Sequence, residues 1–483
     1  METTNLKQKT VSGMLWSAVQ KFGNMGISFI TNIVLARMLT PDDFGCIGML
    51  AIFITVSNTF VDGGFGSALI QKKEPTQKDY STIFWWNIFI SSLLYGVLYL
   101  SAPAIAEFYH IPLLSSVLRV QGIILIIHSL NIIQTNQLRK QLRFKRLANV
   151  TVIAHSIAAL AAIILAWKEW GVWALVAQQI IGSSMISLIL WYINKWMPDF
   201  CFSKESFKQL FGFGSFILCS NLINTFCNNV QGLLIGRFFT PAIMGYYTQA
   251  HKLESLASHT FTTIIEQVSY PVLSQFQSDD KALKNVLYKL TSVLVYISFP
   301  MMLILILLAE PLILFLYGEQ WVASIPYFQI LCVAGMSATF HGVHYYAVAS
   351  KGKSRDLFIG TIVKRILALI VLVLGMYLWQ IEGLIWGFSV GAWIIAIVNA
   401  WLVAKHIKYS MWQQLKDLSS IILLSLITFL LVYSISHTIV CNIYLKGIIA
   451  LIIYIAVYLG LSLLFKIKVY SFVKETLLSY CRK

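Results

Sequence analysis

Long apolar segments recur from one end of the chain to the other, separated by short polar turns. A helix needs about 20 apolar residues to cross the roughly 30 Å of hydrocarbon in a membrane. The pattern therefore predicts an all-α integral membrane protein with about fourteen transmembrane helices. The predicted spans are residues 14–36, 46–70, 82–106, 116–136, 148–167, 171–193, 213–236, 245–270, 289–309, 325–349, 357–378, 383–404, 418–437 and 443–465.

Charge is scarce and unevenly distributed along the 483 residues. Only 12% of them are charged, against about 25% in soluble domains. When the loops are assigned alternately to the two sides of a membrane, 27 of the 36 lysines and arginines fall on one side and 5 on the other. The positive-inside rule then places both termini in the cytoplasm. The net charge of +16 thus reflects topology and attraction to anionic lipid, and nucleic-acid binding is not expected.

One short turn occurs twice. The segment "RMLTPDDFG" at 37–45 is answered by "RFFTPAIMG" at 237–245, and Pro103 is answered by Pro311 at a spacing of 208. Such recurrence is typical of parallel repeats related by a pseudo-two-fold axis along the membrane normal, as in secondary transporters. The sequence therefore predicts two six-helix bundles followed by two appended helices. The predicted domains are 1–200 for spans 1–6, 201–410 for spans 7–12, and 411–483 for spans 13–14 with a basic cytoplasmic tail.

Polar stripes run along several spans, and the clearest occupies an arc of roughly 120° on span 1. Because polar groups find no water in the bilayer core, such stripes face other helices or an aqueous cavity. Contacts between helices remain the alternative to a central cavity. The residues predicted to line that cavity and bind substrate are Lys21, Asn24, Asn224, Asn228, Lys252, His259, Lys364 and Arg365.

Three acidic residues also fall within spans, namely Asp62, Glu254 and Glu266. A charge near a helix centre costs about 2.5–3.5 kcal/mol on insertion scales. One explanation is an internal ion pair, for instance Lys252 with Glu266. The functional interpretation is that basic groups meet an anionic headgroup while a carboxylate or histidine binds a coupling ion. The three acids are therefore candidates for ion coupling.

Other motifs give no sign of catalysis or of a cofactor. The seven cysteines form no C-x-x-C pair and are predicted to be small core residues, so no metal site is expected. Gly352-Lys353-Ser354 imitates the end of a P-loop, but the leading glycine position is Ala347, and no use of ATP is expected. The pair Asp42–Asp43 is interpreted as a helix cap or solvated loop. Basic amphipathic segments at 203–214 and 466–483 are predicted to lie on anionic lipid.

Three stretches carry a family resemblance: "LARMLTPDDFG", "DGGFGSALIQKKEPTQKDYSTIFWWN" and "NQLRKQLRFKRLA". With them, the whole chain resembles the polysaccharide-transport branch of the multidrug/oligosaccharidyl-lipid/polysaccharide exporter superfamily. Within that branch it is similar to the Wzx-type flippases of the colanic-acid and teichuronic-acid subgroup.

The resemblance implies two six-helix bundles enclosing a cationic cavity. It implies a flippase that moves undecaprenyl-pyrophosphate-linked oligosaccharide repeat units across the bacterial cytoplasmic (inner) membrane for the synthesis of O-antigen, capsule or exopolysaccharide. Transport would use ion antiport and alternating access, with lipid-linked oligosaccharide and membrane lipids as ligands and a polymerase and chain-length regulator as partners. Related flippases carry basic residues on spans 1, 2 and 8. Lys21 and Lys252 match, whereas span 2 has Asp62 instead.

Two alternatives remain open at this point. The first is a multidrug antiporter of the same fold, in which acidic and aromatic residues should line the pore. The second is a polyprenyl-dependent glycosyltransferase or polymerase, for which Asp42–Asp43 would be the acidic feature in an outer loop. Every predicted outer loop is too short to hold a sizeable acceptor-binding domain. The sequence therefore favours a transporter that catalyses no covalent step.

Overall fold

The computed structural model describes residues 2–439, 441–467 and 469–470, and these residues form helices joined by short turns, with no β-strand. The predicted all-α class is therefore confirmed. In chain order the helices are α1 Glu2–Met38, α2 Pro41–Asp62, α3 Phe65–Gln71, α4 Gln77–Tyr109, α5 Leu113–Gln121, α6 Ile123–Lys140, α7 Phe144–Trp167, α8 Val172–Asn194, α9 Lys204–Phe238, α10 Pro241–Gln275, α11 Asp280–Leu307, α12 Ala309–Leu316, α13 Ile325–Ser337, α14 Gly342–Ser350, α15 Ser354–Ile407, α16 Met411–Thr438 and α17 Ile443–Leu464.

Ten helical segments of the described chain are long and apolar enough to cross a membrane, and an eleventh is added if the two parts of α9, bent by 50° near residue 213, count as one span. The predicted number of fourteen is therefore not confirmed. Part of the difference lies in α15, whose 54 residues would extend about 80 Å as a straight helix. Its backbone breaks at Trp379 and Gln380, so it consists of two consecutive helices, each near one of the predicted spans.

The chain forms two compact units, Met1–Gly245 and Tyr246–Lys483. In the first unit, α1 packs against α7, α7 against α8, α4 and α8 against α6, and α2 along α9. An apolar cluster that includes Phe65, Ile133 and Leu210 joins α3, α6 and the start of α9. Because α9 packs along α2, the first compact unit extends beyond the predicted limit at residue 200. That limit follows the sequence repeat and remains a prediction.

In the second unit, α11 packs against α13 and α16, while α13 and α14 pack against α15. The appended helices α16 and α17 lie against each other, and α16 completes the packing around α11. Buried side chains such as Leu287, Val343 and Leu402 form a hydrophobic core of this unit. The predicted basic tail from residue 471 lies outside the described residues.

The predicted amphipathic segment at 203–214 forms the first turns of α9. Lys204 and Lys208 are exposed, whereas Leu210 is 3% exposed and packs in the apolar cluster. Phe207 packs beside Trp86, with 4.6 Å between ring centroids. The apolar side of this segment therefore faces the protein, and its basic side remains open.

Candidate functional site

The acidic pair of the first repeated turn caps a helix. Thr40 Oγ1 accepts a bond from the Asp43 backbone N at 3.4 Å, and the Asp43 carboxylate accepts from the Thr40 N at 3.0 Å and from its hydroxyl at 2.8 Å. This reciprocal pattern is a capping box, which satisfies backbone donors at the start of α2. The predicted helix cap is confirmed for Asp43. The geometry thus accounts for the residue that had suggested a glycosyltransferase.

The polar stripe on α1 lies in the first unit. Lys21 is exposed and forms no ion pair with any described residue. Asn24 is half-buried, and its Oδ1 is buried with no hydrogen-bond partner among the described residues. A buried amide oxygen without a donor costs free energy, so this position favours a polar ligand or water. The outer part of the stripe is used internally, since the Thr31 hydroxyl donates to the Ile27 carbonyl at 2.7 Å.

The equivalent stripe on α9 lies beside the contact between α9 and α2. The hydroxyls of Thr225 and Thr59 lie 3.2 Å apart across that contact. Asn224 is half-buried and Asn228 is exposed. At about 100° per residue, both asparagines lie within roughly 100° of Thr225 around the helix. The stripe therefore borders the α2–α9 contact.

Asp62 ends α2 and is half-buried in the first unit. A Cβ added at Gly66 would lie 3.4 Å from the Asp62 Oδ1 and 3.0 Å from the Asn136 Nδ2, so α3 approaches both side chains closely because it has glycine there. His128 and Arg139 on α6 act electrostatically on the Asp62 carboxylate. The acidic residue of span 2 therefore has basic neighbours within its own unit.

Lys364 lies inside the second unit, although it was predicted to line the cavity. Its side chain is 7% exposed, its Nζ donates to the Asn399 Oδ1 at 3.0 Å, and it lies 5.9 Å from the centroid of the Tyr345 ring. The Asn399 Nδ2 in turn donates to the His341 carbonyl at 3.2 Å. In this conformation Lys364 connects helices of the second unit.

The two other basic candidates of this unit are less enclosed. Lys252 on α10 is exposed, and Arg365 on α15 is half-buried. The side chain of His259, a further cavity candidate on α10, lies outside the described residues. Lys252 therefore has the exposure that a substrate-binding group needs.

Glu254 is a buried carboxylate of the second unit, 6% exposed. It forms a hydrogen bond with the Ser258 side chain and interacts electrostatically with Tyr247 and Cys332. A Cβ at Gly335 would overlap the Glu254 Oε1, so glycine at 335 makes room for the carboxylate. No described residue forms an ion pair with Glu254. The Glu266 side chain, the third coupling candidate, lies outside the described residues.

The predicted site residues thus lie in different surroundings, some exposed and some buried. Among the described side chains, no hydrogen bond or ion pair joins Lys21 or Asn24 to Asp62 or Asn224. No metal-binding group of three or more histidine, cysteine, aspartate or glutamate side chains occurs in the described part of the chain.

Two residues that interact with predicted site residues were not predicted from the sequence: His128, which acts on Asp62, and Asn399, which contacts Lys364. His128 could have been recognised because it shares a helix face with Asn136 and Arg139, at spacings of eight and eleven residues. Asn399 could not, because its contact with Lys364 spans 35 residues and a break in α15.

The chain is similar in sequence to curated proteins of similar length. The chain is 24% identical over 409 residues to the teichuronic acid biosynthesis protein TuaB of Bacillus subtilis (strain 168), covering 84% of this chain and 85% of the relative. It is 24% identical over 416 residues to the lipopolysaccharide biosynthesis protein WzxC of Escherichia coli (strain K12), covering 85% and 84%.

Solved structures share the fold. The lipid II flippase MurJ in an inward closed conformation matches with a TM-score of 0.77 at 16% identity, over 94% of this chain and 98% of that one. An inward-facing multidrug resistance MATE transporter of the MOP superfamily matches with a TM-score of 0.59 at 17% identity, over 82% and 99%. At these identities the likeness shows the fold alone. The predicted MATE-like architecture and the predicted family resemblance are confirmed. The family profile described as polysaccharide biosynthesis protein matches residues 34–326, which is more than half of the chain. The protein therefore belongs to that family.

Proposed function

We propose that the protein is a flippase that moves undecaprenyl-pyrophosphate-linked oligosaccharide repeat units from the inner to the outer leaflet of the bacterial cytoplasmic membrane. Its family membership carries the proposal, since the profile matches residues 34–326. The names of the relatives refer to lipopolysaccharide, teichuronic acid and succinoglycan, the last in a biosynthesis transport protein. These glycans differ, so the proposal specifies a class of lipid-linked precursor rather than one sugar sequence.

The charge of the exposed candidates fits an anionic headgroup. Lys21 and Lys252 are exposed on helices α1 and α10, which correspond to the first span of the first repeat and the second span of the second repeat. Lysine binds phosphate as a mobile point charge, and its long side chain can follow a moving headgroup. The proposal therefore gives Lys21 and Lys252 the pyrophosphate and gives Asn24, Asn224 and Asn228 the neighbouring polar groups of the substrate.

The proposed energy source is an ion gradient that acts through buried carboxylates. Glu254 is the strongest candidate, because it is buried and forms no ion pair with a described residue. Asp62 is a second candidate, although His128 and Arg139 already act on its charge. The proposal includes alternating access, cytoplasmic termini, cooperation with a polymerase and a chain-length regulator, and no covalent step.

The test uses the purified full-length protein in liposomes with a fluorescent undecaprenyl-pyrophosphate-linked oligosaccharide. A membrane-impermeant enzyme that modifies the sugar reports how much of the lipid has reached the outside leaflet. We expect faster exposure with protein than in empty liposomes, and an unchanged sugar chain by mass spectrometry. Equal rates in the two preparations, or the appearance of new glycosidic bonds, would contradict the proposal.

A further inference from the structure

The two copies of the repeated turn touch each other. At Gly45, a Cβ would overlap the carbonyl oxygen of Pro241, and at Gly245 a Cβ would overlap the carbonyl oxygen of Pro41. All four residues belong to the first compact unit, which ends at Gly245. The backbone of each first helical turn therefore lies directly against the other, a distance that only glycine permits.

The exchange of partners has a geometric meaning. Gly45 and Gly245 are equivalent positions of the repeat, as are Pro41 and Pro241, since each pair is separated by 200 residues. When residue i contacts j and the equivalent of j contacts the equivalent of i, the contact lies on a two-fold axis. The contact between the turns is thus on the pseudo-two-fold axis of the repeat, on the side that the charge distribution predicts to be external.

Farther from the repeated turns, the contacts of the first unit include hydrogen bonds between side chains and backbone or between hydroxyl groups. Gly236 of α9 lies close to Met49 and Tyr109, and the Tyr109 hydroxyl donates to the Met49 carbonyl at 3.3 Å. Farther along, Thr59 and Thr225 form the hydroxyl contact between α2 and α9. In the described part of the chain, no hydrogen bond joins Pro41 or Gly45 to Pro241 or Gly245. The contact on the axis thus depends on close packing, which is lost when the turns move apart by a small distance.

We propose that this contact, formed by Pro41, Gly45, Pro241 and Gly245, is the outer gate of the transport path. It closes the external side by backbone packing and separates when that side opens. A contact on the axis must break whenever the two copies of the repeat move apart at this end. The proposal rests on the proposed function for its transport step, and it assigns to the repeated glycines a task that the turn alone does not require.

The test follows the exposure of Cys46, which is 4% exposed and adjoins Gly45. A variant keeps Cys46 as its single cysteine, and a membrane-impermeant maleimide is added from the external side. The replaced residues are Cys201, Cys219, Cys227, Cys332, Cys441 and Cys481. In this background we expect Gly45→Ala and Gly245→Ala to label about tenfold faster, a ratio that corresponds to about 1.4 kcal/mol.

Two control substitutions show how the labelling rate depends on how closely an added methyl group approaches its neighbours. At Gly96 a Cβ would meet nothing within 4 Å, so Gly96→Ala should label like the parent. At Gly232 a Cβ would lie 3.1 Å from the flexible Met244 Cε, so Gly232→Ala should have an intermediate effect. Labelling of Gly45→Ala and Gly245→Ala at the rate of Gly96→Ala would overturn the gate.

A second measurement needs no substitution at the glycines, so it tests the proposed gate even if the alanine variants fail to insert into the membrane. The labelling of Cys46 in the single-cysteine protein is compared in membranes with and without undecaprenyl-pyrophosphate-linked oligosaccharide. We expect faster labelling during turnover, and equal rates would overturn the gate. If labelling depends on Gly45 while no lipid is moved, the gate stands and the proposed function fails. If lipid is moved and labelling never changes, the gate fails alone.

Discussion

The Lys364 ammonium group donates a hydrogen bond to the Asn399 Oδ1 at 3.0 Å, joining the two parts of α15 on either side of its break. Asn399 is 2% exposed and also donates to the His341 carbonyl. A buried ammonium group needs a hydrogen-bond acceptor, because burial removes its water. In this structure the Lys364 ammonium group is therefore held inside the second unit by an amide, and its place in the cavity stays a prediction.

Replacing this amide should destabilise the second unit. Asn399→Leu preserves approximate size but leaves the Lys364 ammonium group without its acceptor, and hydrogen bonds to charged groups contribute about 1.5–3 kcal/mol. We expect a lower Tm for the detergent-purified protein, measured by intrinsic fluorescence.

The matched comparison is Lys364→Met with and without Asn399→Leu. When the lysine charge has been removed, the cost of Asn399→Leu should fall, since a double-mutant cycle isolates the pairwise contribution. Equal costs of Asn399→Leu in the two backgrounds would show that the contact contributes nothing to stability.

Two capping boxes in the first unit offer a second prediction. Asp79 caps α4 as Asp43 caps α2, but Asp79 is 1% exposed and also pairs with the Lys72 Nζ at 2.8 Å. Lys72 donates in addition to the Gln209 Oε1 at 3.1 Å, which ties the loop to α9. Because the Lys72 side chain is 25% exposed and can be hydrated after the change, losing the ion pair costs up to about 1 kcal/mol, and losing the helix cap costs about 1 kcal/mol in addition.

We therefore expect Asp79→Ala to lower the Tm more than Asp43→Ala does. Lys72→Ala should cost less than Asp79→Ala, because it leaves the cap intact while removing the pair. Equal losses of Tm for Asp79→Ala and Asp43→Ala would mean that Lys72 adds nothing to the cap.

The sequence predicted local features better than partners. The Thr-Pro turns and the Asp43 cap follow from the chemistry of neighbouring residues, and the structure confirms the cap. The contact between Gly45 and Pro241 was not foreseen, because a recurrence shows that two turns are alike without showing that they touch. Lys364 was predicted to line the cavity as a basic residue within a span, and its sequence position could not reveal its contact with Asn399. Long-range pairing depends on helix packing, which hydrophobic pattern alone does not encode.

Ion coupling through Glu254 gives a third prediction. Glu254→Gln keeps the shape of the side chain beside Gly335 and removes its charge. We expect lipid transport in liposomes to lose its response to an imposed proton or sodium gradient, because a neutral amide cannot bind the ion as a carboxylate does.

Glu382→Gln is the control, since Glu382 is an exposed carboxylate of the same unit. It should leave the response to the gradient unchanged. If Glu254→Gln responds to both gradients as the unsubstituted protein does, the coupling site is elsewhere.

The last prediction concerns the exposed lysines. Lys21 and Lys252 are exposed on α1 and α10. If they hold pyrophosphate, then Lys21→Ala and Lys252→Ala should each slow lipid transport by about tenfold, since hydrogen bonds to charged groups contribute about 1.5–3 kcal/mol. Both variants should insert into the membrane normally, because removing a charge from a membrane helix lowers the free-energy cost of insertion.

The control variant is Lys353→Ala, which changes an exposed lysine in the turn before α15 and should transport at the normal rate. The assay is again the exposure of fluorescent lipid-linked oligosaccharide, and raising the salt concentration should reduce the difference between Lys21→Ala and the unsubstituted protein, because salt screens exposed charges. Normal transport by both Lys21→Ala and Lys252→Ala would show that the pyrophosphate crosses without these two groups.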